Sequence, residues 1–185
     1  MHIRIWNIMK AQQQIMSPLD IVVLLKITTY GDEPWYQKTL AETLFISQSE
    51  ISKSLARSKY AGLLDPTGKI VMKLSLMDFL ISGIRYVFPQ KPGPVVRGIP
   101  TSHSAPPLSN EIQSIEPYVW PYGKGTVRGQ SILPLYPSVV KAVQNDTQLY
   151  ELLTMVDALR VGRAREKNLA ITELTKRILN GEQNH

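Results

Sequence analysis

Apolar side chains in the first part of the chain fall at helical spacing in three short runs, each with a start signal ahead of it. Ser17 precedes Pro18, and Leu19, Val22, Val23 and Lys26-Ile27 follow as a core face. This predicts a helix capped by Ser17, with proline at its favoured first position, ending near Tyr30-Gly31. Asp32-Glu-Pro34 is a break, and Trp35 and Tyr36 open the next helix, whose inner face is Leu40, Ala41, Leu44 and Phe45. Ser47 and Glu50 then form a capping-box pattern before Ile51, so a third helix is expected to start at Ser47. Ile51, Leu55 and Ala56 make a narrow buried face. Gln48, Ser49, Ser52, Lys53 and Arg57 fall on the other side. Phe45-Ile46 leaves room only for a tight turn between the second and third helices, and the small Ala41 allows a close crossing. Gly62 ends the third helix, and Pro66-Thr-Gly68 between Leu63-Leu64 and Ile70-Val-Met72 predicts a small hairpin.

The later pattern is different in kind. Residues 75–88 read as a strongly apolar helix capped by Ser75 and Asp78, with Leu76, Phe79, Leu80, Ile84 and Val87 on a broad face. Ten of the thirteen prolines lie in residues 89–137, which excludes long helices there. Apolar residues are interleaved with them, among them Trp120 and Tyr136. The segment is therefore expected to be an ordered meander over the body, with short strands near 95–97 and 126–128. A short helix follows Ser138. The last helix is predicted over 147–179, with a kink in Val161-Gly-Arg-Ala-Arg-Glu166. At 1.5 Å per residue it would be about 50 Å long. A small domain cannot cover that length, so a two-fold homodimer is expected. The organisation is an N-terminal arm (1–16, anchored by Trp6 on a partner subunit or on the C-terminal half), a reader domain with its following helix (17–88), the meander (89–137) and a helical dimerisation region (138–185).

On these residues the chain resembles the winged helix-turn-helix transcription regulators, most closely the MarR-type branch. Ser17-Pro-Leu-Asp-Ile-Val-Val-Leu-Leu25 stands for the first helix and Thr39-Leu-Ala-Glu-Thr-Leu44 for the second. Ser47-Gln-Ser-Glu-Ile-Ser-Lys-Ser-Leu-Ala-Arg57 stands for the reader, and Gly62 to Val71 for the wing. The resemblance covers under half of the chain. The wing is short with one cation, Lys69, and the chain beyond Met72 departs from the family's dimer helices. What it implies is a mainly α fold with a small β wing, acting as a dimeric, sequence-specific repressor on double-stranded DNA. Gln48, Ser49, Ser52, Lys53 and Arg57 would read bases, and Lys38 and Lys69 would contact phosphates. Two readers would occupy major grooves about one helical turn apart.

Composition sharpens this in places. The net charge of +6 favours an anionic partner, and the excess lies before Asp146, in the half that holds the reader. Without cysteine there is no disulfide and no thiolate metal site. The N-terminus lacks a signal-peptide pattern and residues 21–25 are too short to span a membrane, so a cytoplasmic protein is expected.

Other chemistry is thin. Thr101-Ser-His103-Ser104 sets hydroxyls beside a histidine, but sequence neighbours seldom act as nucleophile and base, and no acid stands near. Tyr122-Gly-Lys-Gly-Thr-Val-Arg-Gly129 is glycine-rich and basic but lacks P-loop spacing. It reads as a hairpin turn or a second phosphate contact through Lys124 and Arg128. A ligand pocket would draw on His103, Trp120 and Tyr122. Neither enzymatic activity nor a cofactor is expected. The rival reading is a protein-interaction module whose meander is the binding surface.

Overall fold

The computed structural model describes residues 15–181, so the expected arm, with Trp6, lies outside the described residues except for its last two. The described residues are mainly helical with one small sheet.

Helix α1 (Pro18–Thr28) starts where proline and cap predict, and the Ser17 N–H donates to Asp20 Oδ2 at 2.7 Å. It is buried from Leu19 to Ile27, charges included. A helix apolar nearly all round is a central one. Helix α2 (Gln37–Leu44) and helix α3 (Gln48–Tyr60) pack on it and on each other. The hairpin after α3 is minimal. It is one antiparallel bridge, Leu64↔Val71, closed by Asp65 N–H to Ile70 O and Met72 N–H to Leu63 O. Asp65 organises its turn by accepting from the backbone of Thr67, Lys69 and Ile70 and from the Thr67 hydroxyl.

The next helix begins earlier than Ser75. Met72 is its N-cap, α4 is Lys73–Asp78, Phe79–Gly83 winds as a π-helix, and α5 is Ile84–Val87. Leu76, Met77, Leu80 and Ile84 are buried, whereas Val87 is exposed.

The proline-rich segment is ordered, and the sheet is here rather than in the hairpin after α3. Strands β1 (Val95–Pro100), β2 (Tyr118–Pro121) and β3 (Val127–Ser131) close into a small barrel, β1 antiparallel to both others and β2 parallel to β3. β1 and β3 were foreseen in part; β2 was not. Closure needs glycine. A Cβ on Gly98 would sit 2.0 Å from Trp120 O, and one on Gly129 would sit 2.4 Å from Pro117 O. The glycine-rich run thus serves strand contact.

Helix α6 (Val139–Ala142) is short. The 50 Å helix is not formed. The chain breaks at Gly162 into α7 (Thr147–Val161) and α8 (Ala164–Ile178), which pack against each other. Gly162 is extended, with ψ 159°, and Glu166 turns back to accept from the Arg163 N–H at 2.9 Å. The chain therefore covers its own last helices, and the length argument for a dimer loses its premise.

α7 is the spine for the barrel. Asp157, 1 % exposed, accepts from Thr101 Oγ1 (2.8 Å), Trp120 Nε1 (2.6 Å) and Arg160 Nη1 (2.8 Å). Arg160 also donates to the Phe88 and Leu133 carbonyls, and the Tyr150 hydroxyl donates to Pro100 O. Burial pushes the Asp157 carboxyl above its ordinary value, against the opposing pull of Arg160 and the two other donors. One hydrophobic core runs from α1 through Leu108, Trp120 and Leu135 to α7 and α8. The segments 17–88, 89–137 and 138–185 are divisions of the chain, not of the core.

Candidate nucleic-acid interface

The α2–α3 unit is built around an unusual residue. Phe45 closes α2 in the left-handed region, φ 55°, a conformation costing a non-glycine residue about 1–2 kcal/mol. The Ile46 N–H then reaches Ala41 O, and Ser47 enters α3 in extended conformation. The Ser47 hydroxyl accepts from the Glu50 N–H at 3.2 Å, which is half of the expected capping box. The other half is replaced: Glu50 pairs with Lys53 at 3.2 Å.

α3 buries Ile51, Ser54, Leu55 and Ser58. Ala56, expected inside, is exposed. Two serines replace it, and their small size suits a close approach to α1. The outer face carries Gln48, Ser49, Ser52, Lys53, Ala56, Lys59 and Tyr60, all exposed. Four of the five expected base readers are thus together on one open face.

Arg57 is not among them. Its Nε donates to both Asp20 oxygens at 3.1 and 2.9 Å, and its Nη2 donates to Oδ1 at 2.7 Å. Its side chain is only 20 % exposed, and that of Asp20 is fully buried. Donating to the Asp20 carboxylate raises the Arg57 guanidinium above its ordinary pKa. Arg57 therefore fixes α3 onto α1, a positioning role. The sequence pattern does not show this pairing, because Asp20 is 37 positions away.

The expected phosphate contacts sit on separate elements. Lys38, on α2, is exposed and 3.9 Å from Glu42. Lys69 lies over the Trp35 ring at 4.8 Å, and Trp35 Nε1 donates to Lys69 O. A further cation was not foreseen. α6 brings Lys141 over the Phe45 ring at 3.9 Å, beside the α2–α3 turn. Beside the hairpin, an open cleft of about 780 Å³ is lined by Trp35, Tyr36, Ile70, Met72 and Leu74 among others.

Two of the three expected pocket residues are engaged elsewhere, and the third, Tyr122, is half-buried on the β2–β3 turn. Trp120 is in the core on Asp157. His103 is 4 % exposed, packed on the Tyr118 ring, with Nε2 3.2 Å from Glu116 O. The acid missing from the sequence neighbourhood comes from α8, with Glu166 Oε1 3.8 Å from Nδ1. Ser102, at φ 55°, is completely buried, so a substrate has no approach to this group. Among the described residues no cluster of His, Asp or Glu is arranged to hold a metal, and no helix is long and apolar enough to cross a membrane. Compared with protein-family models, curated proteins and solved structures, the chain matches none of them.

Proposed function

We propose that this protein is a winged helix-turn-helix regulator of transcription that binds double-stranded DNA through α3. The observation that carries the reading is the outer face of α3. Gln48, Ser49, Ser52 and Lys53 lie open on a helix whose opposite face is fixed to α1 by a partly buried ion pair. Short hydrogen-bonding side chains near a helix N-terminus are the groups that reach base edges in a major groove. The Lys53–Glu50 pair is exposed, so it is weak and yields to a phosphate or a guanine edge. Lys38 and Lys69 are the flanking phosphate contacts.

The test is affinity for a duplex from the upstream region of the protein's own gene, against random duplex, across salt. Ser52→Ala with Lys53→Ala is expected to lower selectivity and to cost about 1–3 kcal/mol for each lost base contact. Equal affinity of the variant and the parent for the selected duplex would sink the assignment of α3.

A second reading, a surface for protein contact, is favoured by the cleft beside the hairpin. Tyr36 and Ile70 are 65 % exposed there and Leu74 is 75 % exposed, an uncovered apolar patch of the kind that marks association. A second copy of this chain is the partner proposed, which keeps the dimer without the long helix. Sedimentation of Tyr36→Ser, Leu74→Ser against the parent decides it: a monomeric parent removes this reading. On the meander, the rival binding surface, Val119, Trp120, Ile132 and Leu135 are buried while Val95, Ile115 and Leu133 are exposed.

A further inference from the structure

We propose that the three-stranded barrel carries a phosphate-binding face built by Arg97, Arg128 and Lys124, and that it grips the backbone of the duplex that α3 reads. The ligand rests on the reading above; the residues are independent of it.

The charge distribution points to the barrel first. Residues 17–78, which include α1 to α3 and the hairpin, carry seven Lys/Arg against seven Asp/Glu. Residues 146–185 are balanced too, six against six. Residues 79–145 carry six Lys/Arg against two acids, Glu111 and Glu116. The basic excess before Asp146 is therefore not in the reader. A clustered basic patch is the electrostatic footprint of a nucleic-acid contact. Arg85, Lys91 and Lys141 of this stretch lie outside the barrel, while Arg97, Arg128 and Lys124 lie on its strands and β2–β3 turn, and both acids lie on the connection from β1 to β2.

The strand register makes the patch specific. Arg97 on β1 and Arg128 on antiparallel β3 are directly opposite each other. Such partners share a face with Cβ atoms about 4.5–5.5 Å apart, and like charges there oppose the pairing. Both are exposed, and among the ion pairs of the described residues neither has a carboxylate within reach. The next pair on that face, Val95 and Gln130, is neutral.

Lys124 is held nearby by backbone contacts. The Tyr122 N–H donates to Arg97 O at 3.0 Å, and the Gly125 N–H to Tyr122 O at 2.9 Å. Gly125 lies so close to β1 that a Cβ would be 2.2 Å from Gly98 O. The turn bearing Lys124 is therefore locked to the Arg97–Gly98 backbone. A phosphate between two guanidiniums converts their repulsion into charge-assisted, bidentate hydrogen bonding, the geometry for which arginine is suited. A strand backbone fixed on both sides reduces the ordering cost of binding.

The experiment compares the full chain with its Arg97→Gln, Arg128→Gln, Lys124→Gln variant. Affinity for the selected duplex and for random duplex is measured across salt. Each lost phosphate contact removes about 0.9 from the slope of log K against log salt. The slope should become less negative by about 2 to 3, alike for both duplexes, with selectivity retained. An unchanged slope overturns the proposal and leaves the α3 reading standing. The Arg97 and Arg128 Nε–H resonances of the parent are also followed with inorganic phosphate. Should the parent bind no duplex, the DNA reading falls, and this titration alone decides. Shifts confined to the two arginines support a site for free phosphoanions, and still resonances overturn it.

Discussion

At the scale of single residues, two ionised groups set how the reader is held. Arg57→Ala would leave the fully buried Asp20 carboxylate without its cation, held only by the Ser17 N–H. Breaking a buried pair by removing one member costs about 3–5 kcal/mol. We expect Arg57→Ala to show this as a fall in stability by denaturant unfolding, with duplex affinity of the folded fraction little changed. Stable Arg57→Ala protein with weak binding would return Arg57 to the base readers. The second group is Asp65. Its hydrogen bonds with Thr67, Ile70 and Lys69 hold its carboxyl far below the usual carboxylate range. The folded value lies below the unfolded one, so its support for the hairpin is present above the unfolded value, near pH 4, and is lost as pH falls through the folded value. An NMR titration of the Asp65 carboxyl carbon should show it still ionised where ordinary aspartates are protonated. A midpoint near 4 would mean that the turn does not need the charge.

At the scale of elements, what could be read depended on the distance between the groups that decide. The start of α3 was legible because Ser47 and Glu50 are three residues apart, and the outer face because helical periodicity separates Ser52 and Lys53 from Ile51 and Leu55. The inner face was misread at Ala56, since burial of Ser54 and Ser58 depends on how closely α1 approaches. β2 was missed because Tyr118-Val-Trp120 is too short to declare itself and exists through its register with Ile99 and Gln130. The break at Gly162 was visible as a kink but not as a reversal, because the cap that stabilises it is the Glu166 side chain returning to Arg163. A Cβ on Gly162 would lie 2.3 Å from Ala158 O and 2.9 Å from Glu166 Oε2. Gly162→Ala is therefore expected to force the two helices apart at a cost of about 1–3 kcal/mol, read as a lower thermal midpoint. An unaltered midpoint would show that the break relaxes freely.

At the scale of the whole molecule, the question is whether the reader stands alone. α1 is buried on all sides, and α2 and α3 are not its only neighbours, since α7 packs on it as well. Lys26 of α1 reaches Asp146 at 2.8 Å, the same carboxylate that accepts from the Leu149 N–H to cap α7. α4 and α5 lean on α8 and α7 in turn. Cutting the chain after residue 88 would uncover part of α1 and leave Lys26 without its partner. Each large aliphatic side chain returned to water costs about 1.5–3 kcal/mol. The whole stability of a domain is about 5–15 kcal/mol, so exposing a few of them is enough to unfold the fragment. A fragment of residues 15–88 is therefore expected to show no cooperative thermal transition and a poorly dispersed NMR spectrum. It would also lose the barrel arginines and Lys141. If it folds and binds the duplex with the salt slope of the full chain, the reader is autonomous and the barrel carries no phosphate contact. If it fails to fold, the barrel and the last helices are part of what holds α3 in place, and the two surfaces proposed for DNA are presented by one core.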